Sequence, residues 1–230
     1  MIKIENLNKS YNNHKVLKDI SLDISEGLIT ALLGPNGSGK TTLIKSILQL
    51  RYPDSGKISN PDGNFFDTPI GYMPQIPNFP ENLKIREIID IVSRLEKRKP
   101  EDLEYLLDEM KMESMYNKTF NELSGGMKQK VNILQCFSFR KKIYILDEPT
   151  SSLDPGMTYF FKNLLKRKKE ENCSIIFTSH ILSEVQQLAD KLVLLVEGKL
   201  LFHGTREEAL KKYNRDDLEE ALRSFWEHKV

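Results

Sequence analysis

Nothing constrains this chain more than the run Gly34-Pro35-Asn36-Gly37-Ser38-Gly39-Lys40-Thr41-Thr42. An apolar stretch, Leu28-Ile29-Thr30-Ala31-Leu32-Leu33, leads into it, and Leu43-Ile44-Lys45-Ser46-Ile47-Leu48 comes after with helical spacing. Strand, glycine-rich turn and amphipathic helix in that order are the context a phosphate-binding loop requires. Gly34, Gly37 and Gly39 allow backbone angles that let successive N–H groups curl around phosphate oxygens. The helix behind the loop points its positive end at the same anion. Lys40 has the reach for the β- and γ-phosphates, and the Thr41 hydroxyl can coordinate Mg2+. The pattern implies a nucleoside triphosphate bound as its magnesium complex.

Charge adds little to that and excludes some partners. A formal net charge of +1, from 34 basic and 33 acidic residues, makes no global field to draw nucleic acid, and no nucleic-acid partner is expected. The clusters Lys97-Arg98-Lys99, Arg140-Lys141-Lys142 and Lys166-Arg167-Lys168-Lys169 are short and flanked by acids, so they read as solvated helix ends or faces. Cys136 and Cys173 match no metal spacing and suggest no disulfide framework, which fits a reducing cytosol. The start, Met1-Ile2-Lys3-Ile4-Glu5, alternates like a strand and lacks the long apolar core of a signal peptide. No apolar run approaches the ~20 residues that cross a bilayer. The expectation is a soluble cytoplasmic protein.

In chain order, residues 1–33 read as strands and turns, with Ile2, Ile4 and Leu7 alternating and Val16–Ile24 alternating again. Tyr11 lies between them, either a surface tyrosine or a face on which a purine can stack. From Leu50 to Pro80 prolines and glycines break helices and leave short strands at Gly56–Ser59 and Pro69–Met73, the second ending beside Gln75. Residues 81–139 look helical, with an apolar stripe from Leu83 through Ile85, Ile88, Ile89, Ile91 and Val92 to Leu95, and a second from Leu103 to Met110, both read most simply as core. Within that block Ser124 suits a helix N-cap, and Gly125-Gly126 leave bare N–H groups at its positive end: a capped helix start or a second anion site.

Ile143-Tyr144-Ile145-Leu146-Asp147-Glu148-Pro149 is more specific, an apolar strand ending in two carboxylates where open α/β sheets carry their ligands. Asp147 can hold Mg2+, and Glu148 can orient or deprotonate an attacking water. Ser151–Gly156 is a turn, and a helical run comes next at Met157–Lys169. Ser174–His180 reads as a further strand ending in His180, which could contact a phosphate or the catalytic water or serve only structure. A helix over Ile181–Ala189 precedes a hairpin around Glu197-Gly198, and Thr205-Arg206-Glu207-Glu208 is a capping box opening a terminal helix.

The order of these motifs resembles the ATP-binding subunit of an ABC transporter, from about Ile2 to the terminal helix. The resemblance implies an α/β fold: a P-loop NTPase core with an N-terminal antiparallel β subdomain and an inserted helical subdomain bearing the signature motif. One ABC ATPase domain would span 1–230, with core and β subdomain at 1–80 and 140–212, the helical subdomain at 81–139 and a helical tail at 213–230. Gly34–Thr42 looks like the Walker A loop, Leu123-Ser124-Gly125-Gly126-Met127 like the signature motif, and Ile143–Glu148 like Walker B with the catalytic glutamate. Tyr11 falls at the adenine-stacking aromatic and Gln75 at the Mg2+-sensing, subunit-coupling glutamine. Asp154 falls in the D-loop and His180 at the switch histidine. Met127 departs from the commoner glutamine, and Ser152 replaces the usual small D-loop residue.

The same resemblance implies a homodimer formed head to tail on ATP binding, each ATP lying between one Walker A loop and the partner's signature motif. An integral membrane permease in a separate chain would be driven by that closure, placing this chain on the cytoplasmic face of the membrane. The stretches Ile70–Gln75, Phe79–Leu83 and Leu123–Lys130 resemble copper-processing ABC ATPases of nitrous-oxide reductase maturation, and exporters of drugs, lipids or haem-maturation factors share much of the pattern. A soluble mechanochemical ABC ATPase acting on nucleic acid or ribosomes is the alternative. Against it, the stretch from Lys40 to Ser124 is too short for a long coiled coil and carries no sustained heptads.

Overall fold

The computed structural model describes residues 1–60, 68–215, 217, 218, 220 and 221. In chain order its strands are β1 Ile2–Tyr11, β2 His14–Ile24, β3 Ile29–Leu33, β4 Ser55–Ser59, β5 Ile70–Met73, β6 Ile143–Leu146, β7 Ser174–Thr178, β8 Lys191–Val196 and β9 Lys199–Thr205. Its α-helices are α1 Lys40–Ile47, α2 Ile85–Glu96, α3 Leu103–Glu109, α4 Gly125–Phe137, α5 Pro155–Glu170, α6 Leu182–Leu188 and α7 Arg206–Tyr213. Two compact units emerge, one from Met1–Thr68 with Leu165–Val230, the other Pro69–Leu164. The helical tail expected over 213–230 falls largely outside the described residues.

In the first unit β1 pairs antiparallel with β2 and with β4. The buried positions run Ile2, Ile4, Leu7 rather than strictly every second residue, because the β1–β2 register shifts between Ile4 and Leu7. Asn6 there takes a left-handed φ of 48°, and its side chain donates to Asp19 Oδ1 at 2.9 Å; Asp19 itself sits at φ 56°. These paired irregularities return Leu7 and Ile20 to the apolar face. β3 is buried along its whole length and lies parallel to both β7 and β8, which is why its sequence is a continuous apolar run. β9 closes this part of the sheet antiparallel to β8.

In the second unit β5 and β6 run parallel. The Phe137 ring at the end of α4 stacks on Tyr144 at 4.6 Å and meets the edge of Phe161 at 5.8 Å. Ile85, Ile88 and Ile89 of α2 are buried, but Ile91 is 45% and Leu95 77% exposed, so the stripe expected to be core is buried only at its N-terminal end.

The basic clusters are not uniformly solvated. Lys168 is 1% exposed and bonds Glu171 at 2.9 Å; Lys141 is 8% exposed and pairs with Glu96. A buried ammonium needs such a partner, since desolvating it alone is costly. Both cysteines are buried.

Candidate functional site

The first unit carries Tyr11, Gly34–Thr42 and His180. Pro35, Asn36 and Gly37 are exposed or open at the loop's rim, while Ser38, Gly39 and Lys40 are buried at its base. Ser38 N–H donates to Pro35 O at 3.2 Å, and Leu43 N–H to Gly39 O at 2.8 Å starts α1 directly behind the loop. The Lys40 ammonium bonds Gly34 O at 2.7 Å and Pro35 O at 3.1 Å, so its charge is drawn back over the turn. Ser38 Oγ is buried and has no partner among the described residues. A buried hydroxyl without a partner, in a curled loop at a helix's positive end beside an ammonium, fits a phosphate ligand. Thr41, on the next exposed position, offers a hydroxyl oxygen of the kind Mg2+ accepts.

The loop has a brace that no local sequence pattern announces. Gly198 N–H, in the β8–β9 turn, donates to Ser38 O at 3.0 Å, and Gly198 O accepts from Lys18 N–H at 2.7 Å. Glu197-Gly198 is legible as a hairpin turn, but nothing in it ties that turn to residues so far earlier in the chain.

Tyr11 ends β1, opposite His14 across a turn in which Asn12 and Asn13 both take left-handed φ, 46° and 65°. Its ring is 40% exposed with the Lys9 ammonium 5.6 Å from the centroid, so a face remains accessible for stacking. His180 is exposed just beyond β7, presented by a turn in which Ser179 Oγ accepts from Ile181 N–H at 3.0 Å and donates to the buried Glu184 at 2.9 Å.

The second unit carries Gln75, Ser124–Gly126, Asp147, Glu148 and Asp154. Asp147 is 5% exposed at the end of β6, with its N–H on Met73 O at 2.8 Å. The Tyr72 phenol's pKa is raised by burial first and by the Asp147 carboxylate second, so that negative charge is felt across the strand end. A buried carboxylate in such a place is a natural cation ligand, and Mg2+ suits it.

Glu148 is half-buried and takes φ 47°, a left-handed conformation rare outside glycine and asparagine. Gln75 Nε2 donates to Glu148 Oε2 at 2.9 Å, so a lone glutamine from a proline-rich loop is joined to the carboxylate. Ser124 caps α4 as its sequence suggested, Oγ accepting from Met127 N–H at 3.4 Å. Ser124 and Gly125 are exposed, and a Cβ on Gly125 would meet nothing within 4 Å. Asp154 caps α5, its Oδ1 accepting from Met157 N–H at 2.9 Å.

Known proteins match this arrangement along most of the chain. The family model described as ABC transporter matches residues 17–151. The bacitracin transport ATP-binding protein BcrA of Bacillus licheniformis is 35% identical over 227 residues, 95% of this chain and 74% of that protein. The sulfate/thiosulfate import ATP-binding protein CysA of Synechocystis sp. is 32% identical over 217 residues, 90% of this chain and 61% of that one. Among solved structures, an ATP-binding subunit of an ABC transporter superimposes with a TM-score of 0.88 at 28% identity, covering 97% of this chain and 98% of its own.

Proposed function

This chain belongs to the ABC transporter family as an ATP-binding subunit and is an ATPase, and from that we propose that it works as one half of a head-to-tail pair energising a separate membrane permease. The observation that carries the pairing is the N-terminus of α4. Ser124 and Gly125 are exposed, with open space beside Gly125, so a helix's positive end and its bare N–H groups face outward. An anion site built that way is suited to a phosphate that the same chain does not hold. In this reading the loop Gly34–Thr42 binds the triphosphate of one ATP, Tyr11 stacks on its base, and Ser124–Gly126 close over the γ-phosphate bound by the other copy. Asp154, capping α5 near the exposed Ser151 and Ser152, takes part in that closure.

In this reading Thr41, Gln75 and Asp147 would hold Mg2+, which would supply positive charge against the phosphates. Glu148, held by Gln75, orients and deprotonates the attacking water, and His180 contacts the γ-phosphate or that water. No helix among the described residues is long and apolar enough to cross a membrane. The transport pathway in another polypeptide and the place of this chain on the membrane's cytoplasmic face rest on the family to which it belongs. Relatives of nearly equal identity are named for bacitracin transport and for sulfate or thiosulfate import, so the permease, not this domain, sets the cargo. A role in copper handling rests on the resemblance of Ile70–Gln75, Phe79–Leu83 and Leu123–Lys130.

The test is Glu148→Gln. Shape is nearly unchanged, so Mg-ATP still binds, but the amide cannot take a proton and hydrolysis slows by about 10²–10⁴-fold. Removing negative charge from a site crowded with phosphate also favours closure. The variant is expected to elute as a dimer with Mg-ATP and a monomer without nucleotide. Normal turnover, or a monomer at saturating nucleotide, refutes the reading.

A further inference from the structure

Helix α4 carries three side-chain amides three residues apart, Gln129, Asn132 and Gln135, on one face of a helix whose other buried residues are Val131, Ile133, Leu134, Cys136 and Phe137. Gln129 is 1% and Asn132 0% exposed. Each amide donates to a main-chain carbonyl of a different loop or strand. Gln135 Nε2 reaches Tyr72 O at 2.7 Å, Asn132 Nδ2 reaches Pro74 O at 2.8 Å, and Gln129 Nε2 reaches Pro149 O at 2.8 Å.

Two of those carbonyls are special by position. Pro74 directly precedes Gln75, and Pro149 directly succeeds Glu148. Prolines have no N–H, so the carbonyl is the one main-chain group through which either loop can be tied at that residue. The ties form a ring with the Gln75–Glu148 bond at 2.9 Å and the Asp147 N–H to Met73 O bond at 2.8 Å. Asn132 Nδ2 also lies 3.5 Å from Gln129 Oε1, joining the two amides to each other.

A core that only needed filling would use leucine or methionine here. Burying a primary amide is costly unless its bonds are made, and Asn132 Oδ1 is buried without a partner among the described residues. Turning the Asn132 amide over gives no relief, because it would set oxygen against the Pro74 carbonyl. The arrangement gives up stability to hold two loops in place.

We propose that Gln129 and Asn132 are positioning residues: from the helix headed by Ser124–Gly126 they fix the loops of Gln75 and Glu148 against each other. A shift of that helix is thereby passed to both groups at once. The inference rests on the roles proposed above for Gln75 and Glu148. Gln135, whose bond goes to strand β5 rather than to a residue adjoining either group, serves as the structural comparison.

The experiment measures Mg-ATP hydrolysis, nucleotide Kd and thermal stability of the full chain for Gln129→Met, Asn132→Leu, Asn132→Thr, Gln135→Met and Glu148→Gln. Displacing a reacting group by about an ångström can cost on the order of 10²-fold, so kcat is expected to fall about 10- to 100-fold in Gln129→Met and Asn132→Leu. Their nucleotide Kd stays within about twofold, because the phosphate loop is untouched. Asn132→Thr, whose hydroxyl can still donate to Pro74 O, recovers part of kcat and decides the matter should the leucine variant not fold. Gln135→Met loses stability but keeps kcat. Wild-type kcat in Gln129→Met and Asn132→Leu, or equal slowing in Gln135→Met, overturns the inference. Normal turnover by Glu148→Gln instead overturns the functional reading beneath it, so the two failures are distinguishable.

Discussion

Replacing Gly34 by alanine is the sharpest available probe of the phosphate loop, because the structure sets its size against that of a neighbour. Gly34 has φ 151°, where side chains are rarely tolerated, and a Cβ there would stand 2.1 Å from Leu195 O and 2.6 Å from Ser38 Oγ. The first obstacle is the main chain of β8, which is paired on both edges, with β3 and with β9, and cannot step aside. The loop must move instead, and with it the Gly34 carbonyl that holds Lys40 at 2.7 Å. Backbone strain of this kind costs about 1–3 kcal/mol, and a collision at 2.1 Å adds to it, so a loss near 3 kcal/mol is expected.

Gly37 is the control in the same loop. Its φ of 78° is also unfavourable for alanine, but nothing lies within 4 Å of an added Cβ. Only the left-handed cost of about 1 kcal/mol applies. For a chain of this size 1 kcal/mol moves Tm by about 2–4 °C, so Gly34→Ala should melt about 6–12 °C below the wild type and Gly37→Ala about 2–4 °C below. ATP affinity, measured by calorimetry, should fall at least about tenfold further in Gly34→Ala than in Gly37→Ala, since only the first displaces Lys40. Equal Tm values, or a Gly34→Ala protein that binds ATP like the wild type, would refute the reasoning.

Two further outcomes are expected. Ser124→Arg removes a cap worth about 1 kcal/mol at an exposed helix end, so the chain should fold and bind ATP as a monomer while turnover is lost; failure of monomer binding would contradict action on the other copy's nucleotide. His203, half-buried in β9, has its pKa lowered by burial first and by nearby Lys191 second, against raising contributions from Asp23 and Glu208. The unfolded chain therefore takes up a proton before the folded one does, and this stability, fully present above a pH of about 6.5, is lost as pH falls towards the folded value. Tm measured from pH 7.5 to 5.5 should fall more steeply in the wild type than in His203→Gln, and parallel curves would remove His203 from the account.

The parts of the fold that are legible in the sequence are those written in local periodicity or local chemistry. The β3 run, the Glu197-Gly198 hairpin and the Thr205 capping box, in which Thr205 N–H meets Glu208 Oε2 at 2.7 Å, need only neighbours in sequence. Lys168 and Lys141 depart from the solvated face expected of them because a charge run shows its sign but not the carboxylate that lets one member go under. Ile91 and Leu95 depart from the expected core because helical spacing identifies a stripe without saying how far the opposing surface extends. The same limit hides the Gln75 contact. Its bond to Glu148 joins residues 73 positions apart, and no composition or period reports a contact of that range.

Glu148 shows how the legible and the hidden parts depend on each other. Asp147-Glu148-Pro149 at the end of an apolar strand announces carboxylates where a ligand can reach them, but not the left-handed φ of 47° that redirects the chain there. That conformation costs about 1–2 kcal/mol in a residue with a Cβ. The residues on either side help to offset it. Asp147 N–H is fixed on Met73 O at 2.8 Å, and Pro149 O is fixed by Gln129 Nε2 at 2.8 Å. Buried hydrogen bonds contribute about 0.5–1.5 kcal/mol each, so the pair is of the right size to hold the strained residue between them. Neither anchor is readable locally: Met73 lies on the neighbouring strand β5, and Gln129, nineteen residues upstream of Glu148, lies on the helix face that also grips the Gln75 loop. The strain at Glu148 and the two buried amides of α4 are therefore one arrangement, and loosening the amides should relax the turn that aims the carboxylate.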